Sequence, residues 1–231
     1  MSRKALRAAF PHTVPVMAGY LALGVAFGLM MSDIGLGTLW SGLMSVLIYA
    51  GSGQILAVSL ISAGAALTQT ALLTLVLHFR HFFYGLSLLS QFRDTGWRKP
   101  YLIFGLTDET YALLTATRVP PEVPAPDFYF AVTLLDQCYW IAGSLLGTAA
   151  GMLIPFSTEG VDFAMTALFV VLLVEQVKKR ENRLPALVGL VCALVSLALL
   201  GADKFLIPAL IGLTAFLLAL RPRLERREAA A

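Results

Sequence analysis

The chain has 231 residues, of which 58% are hydrophobic and only 13% are charged. Soluble domains sit near 45–50% apolar and about 25% charged, so this composition excludes an ordinary soluble protein and implies a membrane protein. The net charge of +3 comes from 17 Lys+Arg against 14 Asp+Glu, with the cations at segment ends and no basic stripe of the kind nucleic-acid binding needs. Two cysteines, Cys138 and Cys192, lie inside apolar segments, too few for a disulfide or zinc framework. The basic start, Ser2-Arg3-Lys4, has no small-residue cleavage site after its apolar run, so it reads as retained rather than as a signal peptide. The expectation is one all-α polytopic domain over 1–231.

A crossing helix needs about 20 mostly apolar residues. Eight segments qualify in chain order: 14–31, 37–62, 64–91, 100–117, 127–154, 161–177, 184–201 and 204–220. If all eight cross and both termini are cytoplasmic, 12 cations fall inside and four (Arg93, Arg98, Lys99, Lys204) outside, which with Arg80 accounts for all 17. The positive-inside tendency favours that arrangement. Its weak point is the basic loop 91–100 (QFRDTGWRKP), which it places outside. Seven spans, with the third segment folding back, would instead place the basic run 178–183 outside. Weak internal similarity suggests two parallel repeats, 10–118 and 127–221. Gly24-x-x-x-Gly28 matches Gly147-x-x-x-Gly151, Gly37 matches Gly160, Gln54 nearly matches Gln176, and Gly105-Leu-Thr echoes Gly212-Leu-Thr. Transporters are often built from such repeats, with the site near the midplane.

Charges within a bilayer cost about 2.5–3.5 kcal/mol each on insertion scales, so they face a bundle interior, a partner or water. Few fall inside these segments: Arg80 with His78 and His81, the pair Asp108–Glu109, Asp136, and Glu175 near a segment end. The midpoints of segments two, three and four fall at AGSGQ (Ala50, Gly51, Ser52, Gly53, Gln54), at His78 and at Glu109, so three polar features share one level. Gly51 and Gly53 loosen a helix there, since glycine costs it about 1 kcal/mol relative to alanine. A discontinuous helix exposes backbone dipoles that suit a carboxylate or an ammonium. The plainer readings stay open. Gly51 and Gly53, like Gly24, Gly28, Gly143, Gly147 and Gly151, serve close helix packing. Gln54 is a satisfied interhelical hydrogen-bonder. Asp136-Gln137 is hydrated near an interface, and Glu175 pairs with Lys178 or Lys179. Arg80 is a structural partner of Asp108 or Glu109. A metal at His78 and His81 is disfavoured, because Arg80 opposes a dication and no cysteine is near.

The three stretches AGSGQ, HFRHFFYGLSL and GLTDETYA, in that order and spacing, resemble the AzlC-type branched-chain amino acid permeases over roughly residues 10–220. On that resemblance the family's Arg-His pair falls on Arg80 and His81, its Tyr-Gly on Tyr84 and Gly85, and its Thr-Asp-Glu on Thr107, Asp108 and Glu109. His78 stands where the family often has Asn. The resemblance implies export of valine, leucine, isoleucine or methionine across a bacterial inner membrane. It also implies a small AzlD-type membrane partner. No cofactor is expected.

Together these readings give a secondary transporter, not an enzyme, with the amino acid held at the midplane. Arg80 is expected to hold the carboxylate, and Asp108 or Glu109 the ammonium or the balance of Arg80. Gly51, Ser52, Gly53 and Gln54 would offer backbone dipoles, and Leu77, Phe82 and Phe83 an aliphatic pocket. Histidine titrates near neutral pH and suits proton coupling. No phosphate-binding loop of the G-x-x-x-x-G-K-[ST] type is present to use ATP. The rivals are a membrane enzyme using His78 or His81 with Asp108, and a passive channel or helper subunit. A higher oligomer is compatible with either.

Overall fold

A computed structural model describes residues 2–153 and 183–201, with 170, 173–174, 177, 205, 208–209, 211–216 and 219 besides. The chain separates into two compact units, Met1–Val161 and Asp162–Ala231. The described residues are all-helical, with no strand. The helices are α1 (Arg3–Asp33), α2 (Thr38–Leu47), α3 (Gly51–Ser62), α4 (Leu67–Ser87), α5 (Lys99–Phe104), α6 (Asp108–Ala116), α7 (Ala125–Leu153) and α8 (Arg183–Leu200). The predicted segments 161–177 and 204–220, with Glu175, Gln176 and Gly160, fall largely or wholly outside the described residues. α8 matches predicted segment seven to within a residue at each end, and α1 and α8 are long and apolar enough to cross a membrane.

The first unit is built on α1 and α7. α1 starts well before its predicted boundary because Ser2 caps it, accepting from Ala5 N–H (3.1 Å), and because Pro11 and Pro15 do not stop it. Glycines let α1 and α7 approach to backbone contact. A Cβ on Gly24 would sit 2.9 Å from Ser144 N, and one on Gly143 2.9 Å from the Leu21 carbonyl. Cβ atoms on Gly28 and Gly147 would overlap backbone outright. The packing reading of these glycines therefore holds. Contacts climb in step, from Ser2 with Asp127 through Tyr20 with Trp140 to Ser32 with Gly151, so the two helices are parallel.

Segments two and four do not run from end to end as expected. α2 descends from the far end of α7, where Gly37 faces Met152, to its middle, where Gln137 donates to the Val46 carbonyl (3.2 Å). The chain breaks at Ile48, Tyr49 and Ala50, with Tyr49 at φ +44°, a left-handed conformation that costs a bulky residue. α3 restarts at Gly51 against the Trp140 ring. α4 then fixes its direction. His78 lies against Gly53 at mid-level, while Leu88 and Phe92 join Ala5, Ala9 and Phe128 in the apolar core at the near end. α4 thus runs from far end to near end, and Leu67 lies about 16 Å above His78 at 1.5 Å per residue. Had α3 continued downward, its end would be more than about 30 Å from Leu67, and the linker 63–66 reaches only about 18 Å. α2 and α3 are therefore a re-entrant hairpin with its tip at mid-level.

Segment four is its counterpart from the near end. Arg98 pairs with Asp127 and Tyr101 reaches Gln137 (2.7 Å), so α5 rises along the first part of α7. The helix breaks at Gly105, Leu106 and Thr107, where Gly105 packs on Thr133 and Thr107 meets Tyr20 (2.6 Å). α6 descends again, stacking Tyr111 on Tyr84 (4.4 Å) and returning Leu114 to the near-end core. The expected four crossings by the first four segments become two full-length helices and two hairpins entering from opposite ends. The hydropathy of a segment is the same whether it crosses once or turns back halfway. This geometry also accounts for the awkward basic loop. Arg93, Arg98 and Lys99 belong to the same end as Arg3, Lys4, Arg7 and Arg118.

Candidate functional site

Both hairpin tips meet the middle of α4 and α7, with the Tyr49 and Phe104 rings 6.3 Å apart. Two polar clusters form there. In the first, α4 presents Arg80, whose Nη2 pairs with Asp108 Oδ2 (2.8 Å) and donates to Ser52 Oγ (3.4 Å). The Arg80 and Asp108 side chains are 43% and 35% exposed, so the ion pair is not sealed. The His78 ring fills the space that a side chain at Gly53 would take. A carbonyl only accepts, so His78 Nδ1–H donates to Thr74 O (3.0 Å) and His81 Nδ1–H to His78 O (3.2 Å). In a neutral imidazole that makes Nε2 the acceptor, and His78 Nε2 is buried with no partner. Asp108 Oδ1 is buried without a partner as well. His81 packs edge-on to Tyr84 (5.5 Å). α3 opens beside this group with no side-chain cap at Ala50, and the first N–H groups of a helix have no intrahelical acceptor.

The second cluster lies deeper. Thr107 caps α6, accepting from Thr110 N–H (3.2 Å). Its hydroxyl touches the Tyr20 hydroxyl (2.6 Å) and the Thr110 hydroxyl (3.0 Å). Tyr20 reaches Glu109 Oε2 (2.8 Å), and Thr110 donates to Asp136 Oδ2 (2.8 Å). Asp136 is 0% exposed, which excludes the reading of a hydrated interfacial acid. Gln137 is buried too, tied to Tyr101 and to the α2 end.

The structure thus sorts the sequence-derived residues. Ser52, Gly53, His78, Arg80, His81, Tyr84 and Asp108 come together in the first cluster. Thr107, Glu109 and Asp136 form the second. Adjacent helical positions point about 100° apart, and Asp108 and Glu109 part accordingly. Gly51 packs on Trp140, and Gln54 seals the break, accepting from Ala50 N–H (3.2 Å) and Trp140 Nε1–H (2.9 Å) while donating to Ser45 (3.3 Å). Phe82 and Phe83 pack with each other and with Phe79 and are exposed. Sequence reasoning missed Tyr20, Tyr49, Thr110 and Trp140. Thr110 belongs to the quoted motif, but a lone tyrosine in an apolar helix carries no signal of its partner. Among the described residues no three His, Cys, Asp or Glu side chains converge to hold a metal.

Comparison with known proteins bears on this arrangement. The family profile described as AzlC protein matches residues 15–154, the stretch that holds α2 to α7 and most of α1. The Branched-chain amino acid transport protein AzlC of Bacillus subtilis is 41% identical over 97% of this chain and 88% of its own length. A membrane protein of Helicobacter pylori is 42% identical over 96% of this chain and 97% of its own. Inner membrane protein YgaZ of Escherichia coli is 28% identical over 86% and 82%. No solved structure matches. With a profile match over more than half its length and relatives aligned nearly end to end, the chain belongs to the AzlC family.

Proposed function

We propose that this protein is a secondary transporter that exports branched-chain amino acids across a bacterial inner membrane, coupled to protons and working with a small AzlD-type membrane subunit. One observation carries the reading. The Arg80–Asp108 ion pair sits where two re-entrant tips meet, partly open, with Asp108 Oδ1 and His78 Nε2 lacking partners. A zwitterion exchanges that internal pair for two external ones. Its carboxylate takes the Arg80 guanidinium by paired hydrogen bonds, aided by the free N–H end of α3 at Ser52 and Gly53. Its ammonium takes Asp108. Broken helices at membrane depth are tolerated where protein or a watery cavity satisfies the freed backbone, as at transporter sites.

Charge distribution supports cytoplasmic termini. Taking 161–177 and 204–220 as crossings on their sequence, every Lys and Arg except Arg80 and Lys204 lies on the side of the N-terminus. That gives six crossings and two hairpins rather than eight crossings. The test is counterflow of labelled leucine in proteoliposomes, with and without the small subunit, for wild type and Arg80→Ala. Saturable exchange that a folded Arg80→Ala loses upholds the reading. Normal exchange by the variant removes Arg80 from it, and flux that fails to saturate removes the carrier in favour of a channel.

A further inference from the structure

The deeper cluster carries an inference from counting protons. Its oxygens form an unbranched chain: Glu109 Oε2, Tyr20, Thr107, Thr110, Asp136 Oδ2, with successive separations of 2.8, 2.6, 3.0 and 2.8 Å. Each of those four links needs one proton between its oxygens. The three hydroxyls supply one each. If both carboxyls are ionised, Tyr20 spends its proton on Glu109 and Thr110 spends its proton on Asp136. Thr107 can then serve only one neighbour, and one link is left with two lone pairs facing each other. Buried oxygens in that state are costly. One carboxyl proton completes the set, and a second finds no acceptor within the chain. Tyr20, Thr107, Thr110 and Asp136 are all less than 8% exposed, so water does not substitute for a missing donor at the three links among them, and only the Glu109 end of the chain is partly exposed.

We propose that Glu109 and Asp136 share a single proton, relayed through Tyr20, Thr107 and Thr110, and that this relay is the coupling-ion site of the transporter. Its two states are mirror images. With the proton on Glu109, donation runs Glu109 to Tyr20 to Thr107 to Thr110 to the Asp136 carboxylate. Transfer moves one proton across each link, reverses every donor, and leaves Asp136 neutral and Glu109 anionic. No bond other than O–H forms or breaks, and nothing is oxidised. Asp136 Oδ1 is buried without a partner. The buried Tyr49 hydroxyl, at the tip of the α2–α3 hairpin, lies next to Tyr20, Thr110 and Asp136 but forms no close hydrogen bond that would add a donor to the chain. The other ionisable groups facing it are Tyr101 from α5, next to Asp136, and Asp108 and Arg80, next to Glu109.

Proximity to Arg80 gives the relay its effect. A neutral Glu109 leaves Arg80 opposed by Asp108 alone and receptive to a carboxylate. An anionic Glu109 adds a second negative charge there and expels it. The transport role rests on the proposed function above, whereas the shared proton does not.

The test begins with infrared spectra of the purified full chain near neutral pH. The carbonyl stretch of a protonated carboxyl is distinct from the carboxylate bands. Glu109→Gln and Asp136→Asn each place an amide donor at one end of the chain, so each is expected to remove the same band in full. Loss of half the band in each, or no band assignable to either, overturns the shared proton. Thermal unfolding is the second arm. Each single variant should unfold near the wild-type temperature, and so should the double variant, because one amide donates into the chain while the other accepts from it. A large fall in either single variant counts against the relay. In proteoliposomes, accumulation of leucine driven by a pH gradient should be lost relative to counterflow in both single variants. Unchanged coupling overturns the role. If no form of the chain moves leucine, the substrate reading fails while the infrared result still decides the relay.

Discussion

The α1–α7 pair and the α4 helix answer the same membrane in opposite ways. α1 and α7 meet through glycine and serine, backbone against backbone. α4 has no fully buried residue and carries Arg80, His78 and His81 at its middle. The first arrangement gains stability from dispersion contacts that need close approach. The second leaves charged groups open to exchange partners. A rigid frame and an unfinished site are thus made by different residue types on neighbouring helices.

The comparison breaks most readily at the frame. Gly28→Leu or Gly147→Leu puts a side chain into backbone and should cost about 4 kcal/mol or more, read as loss of folded protein in detergent. Changes in α4 should spare the fold and strike function. Arg80→Ala is expected to abolish leucine counterflow with little change in unfolding temperature, and Arg80→Lys to recover part of it, because a point charge replaces a planar fork. At the border between the regions, Gly53→Ala meets the His78 ring and should cost about 1–3 kcal/mol by overpacking. Adding His78→Ala should recover that loss, which a double-mutant cycle measures. The smallest effect belongs to Asp127→Asn at the near end, about 1 kcal/mol or less from the Arg98 pair, with transport unchanged.

Much of the site was legible, because an arginine, two histidines and an acid pair in apolar segments admit few placements. Their common level followed from segment midpoints and is the level at which the hairpin tips meet. The reversals at Tyr49 and Leu106 were not legible. Apolar runs of this length satisfy a crossing helix and a folded hairpin equally, and only the basic residues 93–99 hinted at the second. The split between Asp108 and Glu109 follows from helical geometry, but Tyr20 as the partner of Glu109 was not legible. Its hydroxyl sits among leucines and glycines in the sequence and meets Thr107 only after the second hairpin folds upward.

The opposed hairpins have an electrical consequence. Each covers only half the thickness of the bundle, so the ordered barrier around Arg80 is thinner than the membrane. A transmembrane voltage drops mainly across its most insulating stretch, and here that stretch is concentrated at the two tips. A unit charge carried across the full drop is worth about 2.3 kcal/mol per 100 mV. A proton stepping between Glu109 and Asp136 would sense that drop only through the part of its path that runs along the membrane normal.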